Sequence, residues 1–419
     1  MKILWLSHFV PYPPRGGSRQ RSFNLIRHLA KNHELFLVAL SMLAESPAKV
    51  AQHVGELKRH CADVEVWDPP YEWRGIRWWA QLALSPLYRH HYASCALWSR
   101  TLARRWQQTL DKHPGALVHF DSIDLTKYLP AAHGFRRVLN HHNCESAMAE
   151  RRAEIEANAV KKAYLRSQAR KIAKLEREWC PRVDVNVAVS QLDAERLRSQ
   201  SLSAHFHVVE NGTDTTYFLP SDADPEPQTV IFAGGLSWYP NVSAIRFFTR
   251  EIWPLLKDRC AGIRLYLAGR SPAESVLQAA RSDPAITLIS DPEDIRPWVA
   301  RAAVFVCPII DGGGTRLKIL DALAMGKAVV STSIGCEGLR VKRGEDLLVA
   351  DAPEAFADEV ARALGNATLR RQLGQAGRAL VERQYSWEVI GGQLDEAYRC
   401  GLDKRACGRR SANPNSGLT

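Results

Sequence analysis

Short runs of aliphatic and β-branched residues alternate along the chain with longer stretches in which apolar side chains recur every three or four positions. That alternation predicts βα units wound onto parallel sheets. In the first half the strand candidates are Lys2–Leu6, Glu34–Leu40, Val64–Trp67, Ala116–Phe120, Arg137–Asn140, Val185–Val189 and His207–Val209. Several are apolar throughout, as strands covered on both faces must be. Between the first two, Gly17–Lys31 carries Phe23, Ile26 and Leu29 at helical spacing, giving strand, glycine turn, helix, strand.

The rhythm breaks at Leu219–Gln228, where proline and acid replace apolar periodicity, the composition of a linker. It resumes with strand candidates Thr229–Ala233, Ile263–Ala268, Ala285–Ile289, Val304–Pro308, Ala328–Ser331 and Leu347–Ala350, and with helices at about Val242–Leu256 and Arg316–Met325. The predicted organisation is an α/β domain over 1–218, a linker over 219–228, and a second α/β domain over 229–384. Helical pattern runs on from about Pro353 to Arg399. Residues 385–400 are expected to form a helix returning to the first domain, and 401–419 a disordered tail. Two doubly wound domains would leave a cleft at the carboxyl ends of their strands, where ligands of such sheets bind. Function is therefore sought in the residues that follow each strand.

Composition narrows the partners. Lys+Arg 56 against Asp+Glu 45 gives the 419-residue chain a formal charge of +11, which favours anionic ligands. The nine cysteines stand singly, without C-x-x-C or zinc spacing, so a reducing cytosol is the expected home. The apolar run after Met1 is interrupted by Ser7-His8 and reads as a strand, not a leader. No stretch approaches the ~20 apolar residues of a membrane-spanning helix. No G-x-x-x-x-G-K-[ST] loop is present, and nothing beyond charge favours nucleic acid.

The most specific stretch is Pro308-Ile-Ile-Asp311-Gly312-Gly313-Gly314-Thr315-Arg316-Leu317-Lys318-Ile319-Leu320-Asp321. A buried strand runs into three glycines and then a helix, so bare N–H groups and the positive helix end face the turn, a site for phosphate. Arg316 and Lys318 add charge, and Asp321 can accept from vicinal hydroxyls, as an acid does with ribose. The plain alternative is a loop closed by an ordinary amphipathic helix; two cations and a carboxylate in register favour the phosphate site.

This segment, followed by Lys327–Thr332 and Gly335-Cys-Glu-Gly338, resembles the donor-binding region of GT-B glycosyltransferases, in particular the retaining family 4 group and its exopolysaccharide sugar transferases. Gly16-Gly17-Ser18-Arg19, Asn140-His-His142-Asn143-Cys-Glu145, Val189-Ser190-Gln-Leu-Asp193, Glu210-Asn211-Gly212-Thr213-Asp214, Gly235-Leu-Ser-Trp238-Tyr-Pro240-Asn241 and Tyr385-Ser386-Trp387 agree with it. The resemblance implies two Rossmann-like domains, a nucleotide-sugar donor and a saccharide or polyprenyl-linked acceptor. The nucleotide sugar is a substrate, and no cofactor is implied.

Carried over by position, Gly16 and Gly17 would let a pyrophosphate or acceptor approach the backbone, although a plain βα turn reads the same. His142 would face the sugar; relatives place it in Asp-x-His-Asn-x-Glu, and here Asn140 replaces the aspartate. Relatives carry two glutamates eight positions apart around the glycine turn; here the second is Asp321 and the first position is Gly313. They also carry Arg and Lys after the first strand of the second domain, where this chain reads Gly234–Asn241 without a cation. The implied donor set is therefore Gly312, Gly313, Gly314, Thr315, Arg316, Lys318 and Asp321, with Asn241 as a cap and Arg270 assisting from the next strand end. The nucleobase would lie near the turn before Ile295-Arg296-Pro297. His142, Arg316 and Lys318 are the candidate catalytic residues, the cations stabilising a departing diphosphate. With no Asp-x-Asp present, no metal site is expected.

Between Tyr71 and His113 tryptophan and arginine interleave at Trp73, Arg74, Arg77, Trp78, Trp79, Trp98, Arg100 and Trp106. A second basic run extends from Arg151 to Lys174. Such stretches suit an anionic membrane surface, or equally a helical pair with tryptophan inside and arginine outside. Two other functions are compatible with the sequence: a nucleotide-sugar 2-epimerase of the same fold, revealed by isomer formation without acceptor, and a silent adaptor that binds without transfer.

Overall fold

The computed structural model describes residues 1–41, 46–68 and 76–402, with the backbone alone described at 47, 76–78 and 402. Trp73, Arg74, Cys407 and the predicted disordered tail beyond 402 lie outside the described residues. The chain divides into two compact units, Met1–Val209 with Ile390–Thr419, and Glu210–Val389.

In the first unit the described strands are β1 (Lys2–Ser7), β2 (Glu34–Leu40), β3 (Asp63–Trp67), β4 (Leu117–Phe120), β5 (Arg136–His141), β6 (Val185–Ala188) and β7 (Phe206–Val208). They form one sheet in the order β3-β2-β1-β4-β5-β6-β7. Every neighbouring pair is parallel. The direction of winding reverses between β1 and β4. The central strands are buried end to end, β4 completely and β1 after its first residue, which is why their sequences are apolar without alternation. One side of the core gathers Leu4, Leu6, Trp67, Trp106, Phe120 and Tyr128. Trp67 and Trp106 meet edge to face, centroids 6.5 Å apart. Trp106 is thus a core residue, the domain-interior reading of that tryptophan.

The second unit carries β8 (Glu226–Ala233), β9 (Arg264–Gly269), β10 (Ile286–Ser290), β11 (Ala302–Cys307), β12 (Ala328–Ser331) and β13 (Leu348–Val349), in the order β10-β9-β8-β11-β12-β13. All pairs are again parallel, and the winding reverses between β8 and β11. Both sheets are the doubly wound α/β sheets that the alternation predicts.

The unit boundary falls at Val209/Glu210, ahead of the expected break at 218/229. Residues 210–218 are tied to the second unit: Thr213 N–H donates to the Tyr385 carbonyl at 2.8 Å, and Arg378 donates to the carbonyls of Phe218 and Thr215. The acidic stretch after Leu219 is therefore a loop within that unit, leading into β8. The pattern expected as one helix over 242–256 is three segments, Tyr239–Phe247, a π-turn Phe248–Ile252 and Trp253–Arg259. Pro254, lacking an N–H, follows directly on the π-turn, where the helical hydrogen-bond pattern is already shifted. The last helix, Trp387–Leu402, starts in the second unit and from Ile390 belongs to the first. There Asp395 meets the His33 ring at 2.7 Å, and the Tyr398 hydroxyl meets His119 Nδ1 at 2.7 Å.

Candidate functional site

In the second unit the reversal of winding sets the ends of β8 and β11 side by side, the place where open α/β sheets bind ligands. Gly234 and Gly235 follow β8. The stretch 308–316 follows β11 and leads into the helix Leu317–Ala324. From that helix Lys318 reaches across to the β8 end. Its ammonium donates to Asn241 Oδ1 at 2.6 Å and lies 4.1 Å over the Phe232 ring. Asn241 in turn donates from Nδ2 to the Gly235 carbonyl at 2.7 Å. Burial pulls the Lys318 pKa down to about 8, against the opposing pull of Cys307.

Only glycine fits the backbone beneath this lysine. Gly234 has φ 149°, and a Cβ there would stand 2.8 Å from Lys318 Nζ. At Gly269, φ 157°, a Cβ would fall 1.6 Å from the Gly234 carbonyl oxygen, a clash of backbone with backbone. Gly269→Ala is accordingly expected to destabilise the second unit by about 3 kcal/mol, because β8 and β9 must separate to admit the methyl group. Chemical denaturation of the full chain measures it, and a wild-type midpoint would contradict the close approach.

The triglycine turn is held from two sides. Arg316 curls back on it, donating to the carbonyls of Gly313, Gly314 and Asp311. Thr315 Oγ1 accepts from Asn211 at 2.6 Å, and Asp321 accepts from Thr213 Oγ1 at 2.6 Å. Asn211 and Thr213 are themselves fixed because the buried Glu210 carboxylate pairs with the Arg340 guanidinium, whose backbone N–H donates to Tyr385 Oη at 2.7 Å. Burial raises the Glu210 pKa although Arg340 opposes it. Of the sequence-chosen residues, Asn241 and Lys318 converge, and they do so over the backbone of Gly234. Gly312 and the buried Asp311 belong to the turn, and Arg270 is exposed after β9.

The first unit repeats the layout at the ends of β1, β4 and β5. Asp121, directly after β4 and fully buried, accepts from Ser22 Oγ at 2.6 Å, Asn140 Nδ2 at 2.8 Å and Ser7 Oγ at 3.3 Å. His142 Nε2 stands 2.9 Å from the Asp121 carbonyl and 3.4 Å from its carboxylate. Burial works to raise the Asp121 pKa, but the charges and hydrogen bonds of His142 and His119 hold it well below the usual range. Arg21, also buried, donates to Asn140 Oδ1 at 3.3 Å and to the Val209 carbonyl at 2.8 Å, so two opposite charges are joined through one amide. His8, its ring 5.7 Å from that of His142, is pulled by burial to about 4. Glu145 accepts from Asn143 at 2.8 Å, and burial pushes its pKa up to about 8. Gly16 opens the helix Gly17–Leu29 with φ 96° and open space where a side chain would be.

Residues 15–217 match the model for Glycosyltransferase Family 4, and residues 227–366 that for Glycosyl transferases group 1. The chain carries a Glycosyltransferase Family 4 domain followed by a Glycosyl transferases group 1 domain. A protein of the cps region of Klebsiella pneumoniae is 27% identical over 168 residues, 38% of this chain and 43% of that one. Alpha-maltose-1-phosphate synthase of Mycolicibacterium smegmatis is 27% identical over 219 residues, 46% of this chain and 56% of that one. The glycosyltransferase chain thus spans about half the length of the curated relatives it matches. Among solved structures, sucrose-phosphate synthase from Thermosynechococcus elongatus superposes with TM-score 0.69 at 17% identity, over 95% of this chain and 98% of that one. Anabaena HepE in complex with UDP superposes with TM-score 0.67 at 14% identity, over 95% and 100%. These likenesses are of fold, and the fold is GT-B.

In this glycosyltransferase Asp121 and Arg21 were not singled out from the sequence, and Glu210 stood there only as part of a motif stretch, without a role. Asp121 had a signal: it directly follows a predicted strand. It also gives Asn140 a carboxylate partner from the adjacent strand, 2.8 Å from its amide.

Proposed function

We propose that this glycosyltransferase transfers a sugar from a nucleotide-diphosphate donor to a saccharide or polyprenyl-linked acceptor, with retention, in cytoplasmic assembly of an exopolysaccharide or surface glycan. The observation that carries this reading is the Lys318 ammonium, which reaches from the first turn of the helix after the triglycine loop to Asn241 beside the Gly234 turn. A diphosphate placed there meets the cation and the close backbone of the glycine turns, and the cation opposes the charge that builds as the sugar departs. Thr213 orients Asp321 toward a role with the ribose hydroxyls. On donor binding Arg316 exchanges its turn carbonyls for phosphate oxygens. In the first unit His142, set by Asp121, is the group read as meeting the sugar. The cps-region relative supports the glycan assignment, and the solved complex of HepE with UDP-glucose supports the donor class.

Calorimetric screening of UDP-, GDP- and other nucleotide sugars, followed by NMR of the anomeric proton of the product, tests the reading. One nucleotide is expected to bind preferentially and the product to keep the donor configuration; no binding by any of them would overturn it. Because protein cations balance the diphosphate, transfer is expected to persist in excess EDTA. Complete loss, restored by Mg²⁺, would show that the leaving group is neutralised otherwise.

A further inference from the structure

The helix Ile76–Leu84 and the 3-10 turn Ser85–Leu87 are built inside out. From Trp79 to Leu87 the exposed residues are Trp79, Ala80, Ala83, Leu84, Pro86 and Leu87, all apolar, whereas the polar Ser85 is buried. Trp79 is 62% exposed, Leu84 52% and Leu87 82%. Positions 79, 80, 83, 84 and 87 recur at helical spacing, so they form one face.

The buried side fixes which way that face looks. Ser85 Oγ donates to the Leu82 carbonyl at 2.7 Å and meets the Tyr164 hydroxyl at 3.0 Å, while Lys171 Nζ donates to the carbonyls of Ser85 and Pro86 at 2.8 and 2.9 Å. The element is therefore pinned to the helix Ala159–Trp179 by its polar atoms, with its apolar atoms turned away.

The segment that carries this face is basic. Between Glu72 and Asp111 the chain holds no carboxylate and six arginines. Arg89, two residues beyond Leu87, is exposed. Lys127 lies 4.3 Å over the Trp98 ring and, with Arg89, adds to the burial that lowers the His90 pKa, against the opposing pull of Glu178. A protein surface presents both signs to a partner, whereas an anionic bilayer presents one. An in-plane helix with tryptophan and leucine outward and arginine at its edge is the amphipathic form that settles at headgroup depth.

We infer that the face of Trp79, Leu84 and Leu87 docks this enzyme on an anionic phospholipid surface. This goes beyond the donor reading and does not depend on it, since no sugar chemistry enters. It also divides the aromatic stretch: Trp79 meets lipid, Trp106 fills the core, and the side chains of Arg77 and Trp78 are not described.

The test is flotation of the full chain with vesicles of phosphatidylglycerol and phosphatidylcholine at physiological salt, beside vesicles of phosphatidylcholine alone. The wild-type chain is expected in the top fraction with the anionic vesicles and to bind neutral ones at least tenfold less. The variant Trp79→Ser/Leu84→Ser/Leu87→Ser, altered only at exposed positions, is expected to stay at the bottom while keeping the wild-type melting curve. Arg89→Glu is expected to weaken flotation in low salt more than in high. A wild-type chain that stays at the bottom, or a triple variant that floats equally well, overturns the inference. So does sedimentation showing a wild-type dimer that the triple variant dissolves without any vesicle binding, because the face is then a contact between copies. Donor calorimetry on the same preparations reports separately on the donor site.

Discussion

Lys318→Met is expected to weaken binding of the preferred nucleotide sugar about 50-fold, on the scale of a charged hydrogen bond lost from a desolvated site. The pH dependence gives a sharper outcome. With its pKa near 8 in the ligand-free protein, Lys318 loses its proton as pH rises through 8, so donor affinity should fall toward tenfold per unit above that point. Stability moves the other way. The unfolded chain keeps the lysine protonated to its ordinary value of 10.5, so between about 8 and 10.5 it binds the extra proton and rising pH favours the fold at this position. Titration calorimetry from pH 7 to 9.5 should therefore show falling affinity, absent in Lys318→Met, without a matching loss of fold. Equal affinity of wild type and variant across that range would remove Lys318 from the donor site.

Asp121→Ala is expected to cost the first unit about 3–5 kcal/mol, the usual penalty for deleting one partner of a buried charge set. Arg21 would remain buried with its opposing carboxylate gone, and Ser22 and Asn140 would each lose an acceptor. Asp121→Asn is the informative companion, since it keeps the shape but not the charge. The folded-state pKa of Asp121 lies well below its ordinary 3.8, so its contribution is complete above that value and lost only as pH falls below it. The gap between wild type and Asp121→Asn should hold from pH 8 to pH 5 and narrow in stronger acid. Acid sensitivity at milder pH has another source. His8 and His141, both pulled by burial to about 4, stay neutral in the fold while the unfolded chain takes up protons from about 6.5 downward. Every variant that keeps them should lose stability between pH 6.5 and 4. Because Asp121 aligns His142, transfer by Asp121→Asn should slow about 100-fold with donor affinity unchanged, the scale of a misplaced group. A wild-type rate would show that His142 needs no such alignment.

The strand ends were legible because a buried parallel strand is an apolar run, and its end is where polar residues return. The donor-side motif was legible for a related reason: glycines and cations after such a run have few other uses. Sheet order was not legible, and it decides what Asp121 touches. Nothing in the spacing of Ser7, Asp121 and Asn140 says that their strands lie side by side as β1, β4 and β5. An aspartate after a strand also looks like any solvated turn residue. Glu210 was read with the first domain because its attachment, to Arg340 and Tyr385, spans more than a hundred positions. In the stretch 79–87 periodicity revealed two faces but not which was inward. That depended on Ser85 finding Tyr164, a contact between elements far apart in sequence.

The division of the chain has a bearing on how it comes off the ribosome. The first unit is discontinuous: His33 and His119 receive Asp395 and Tyr398 from a segment synthesised only after all of 210–389. The second unit can be finished while the first still lacks its closing piece, an inversion of the N-terminal-first order usual in vectorial synthesis. A recombinant fragment ending at Val209 would remain in that unfinished condition. One splicing 1–209 to 390–402 would restore both partners.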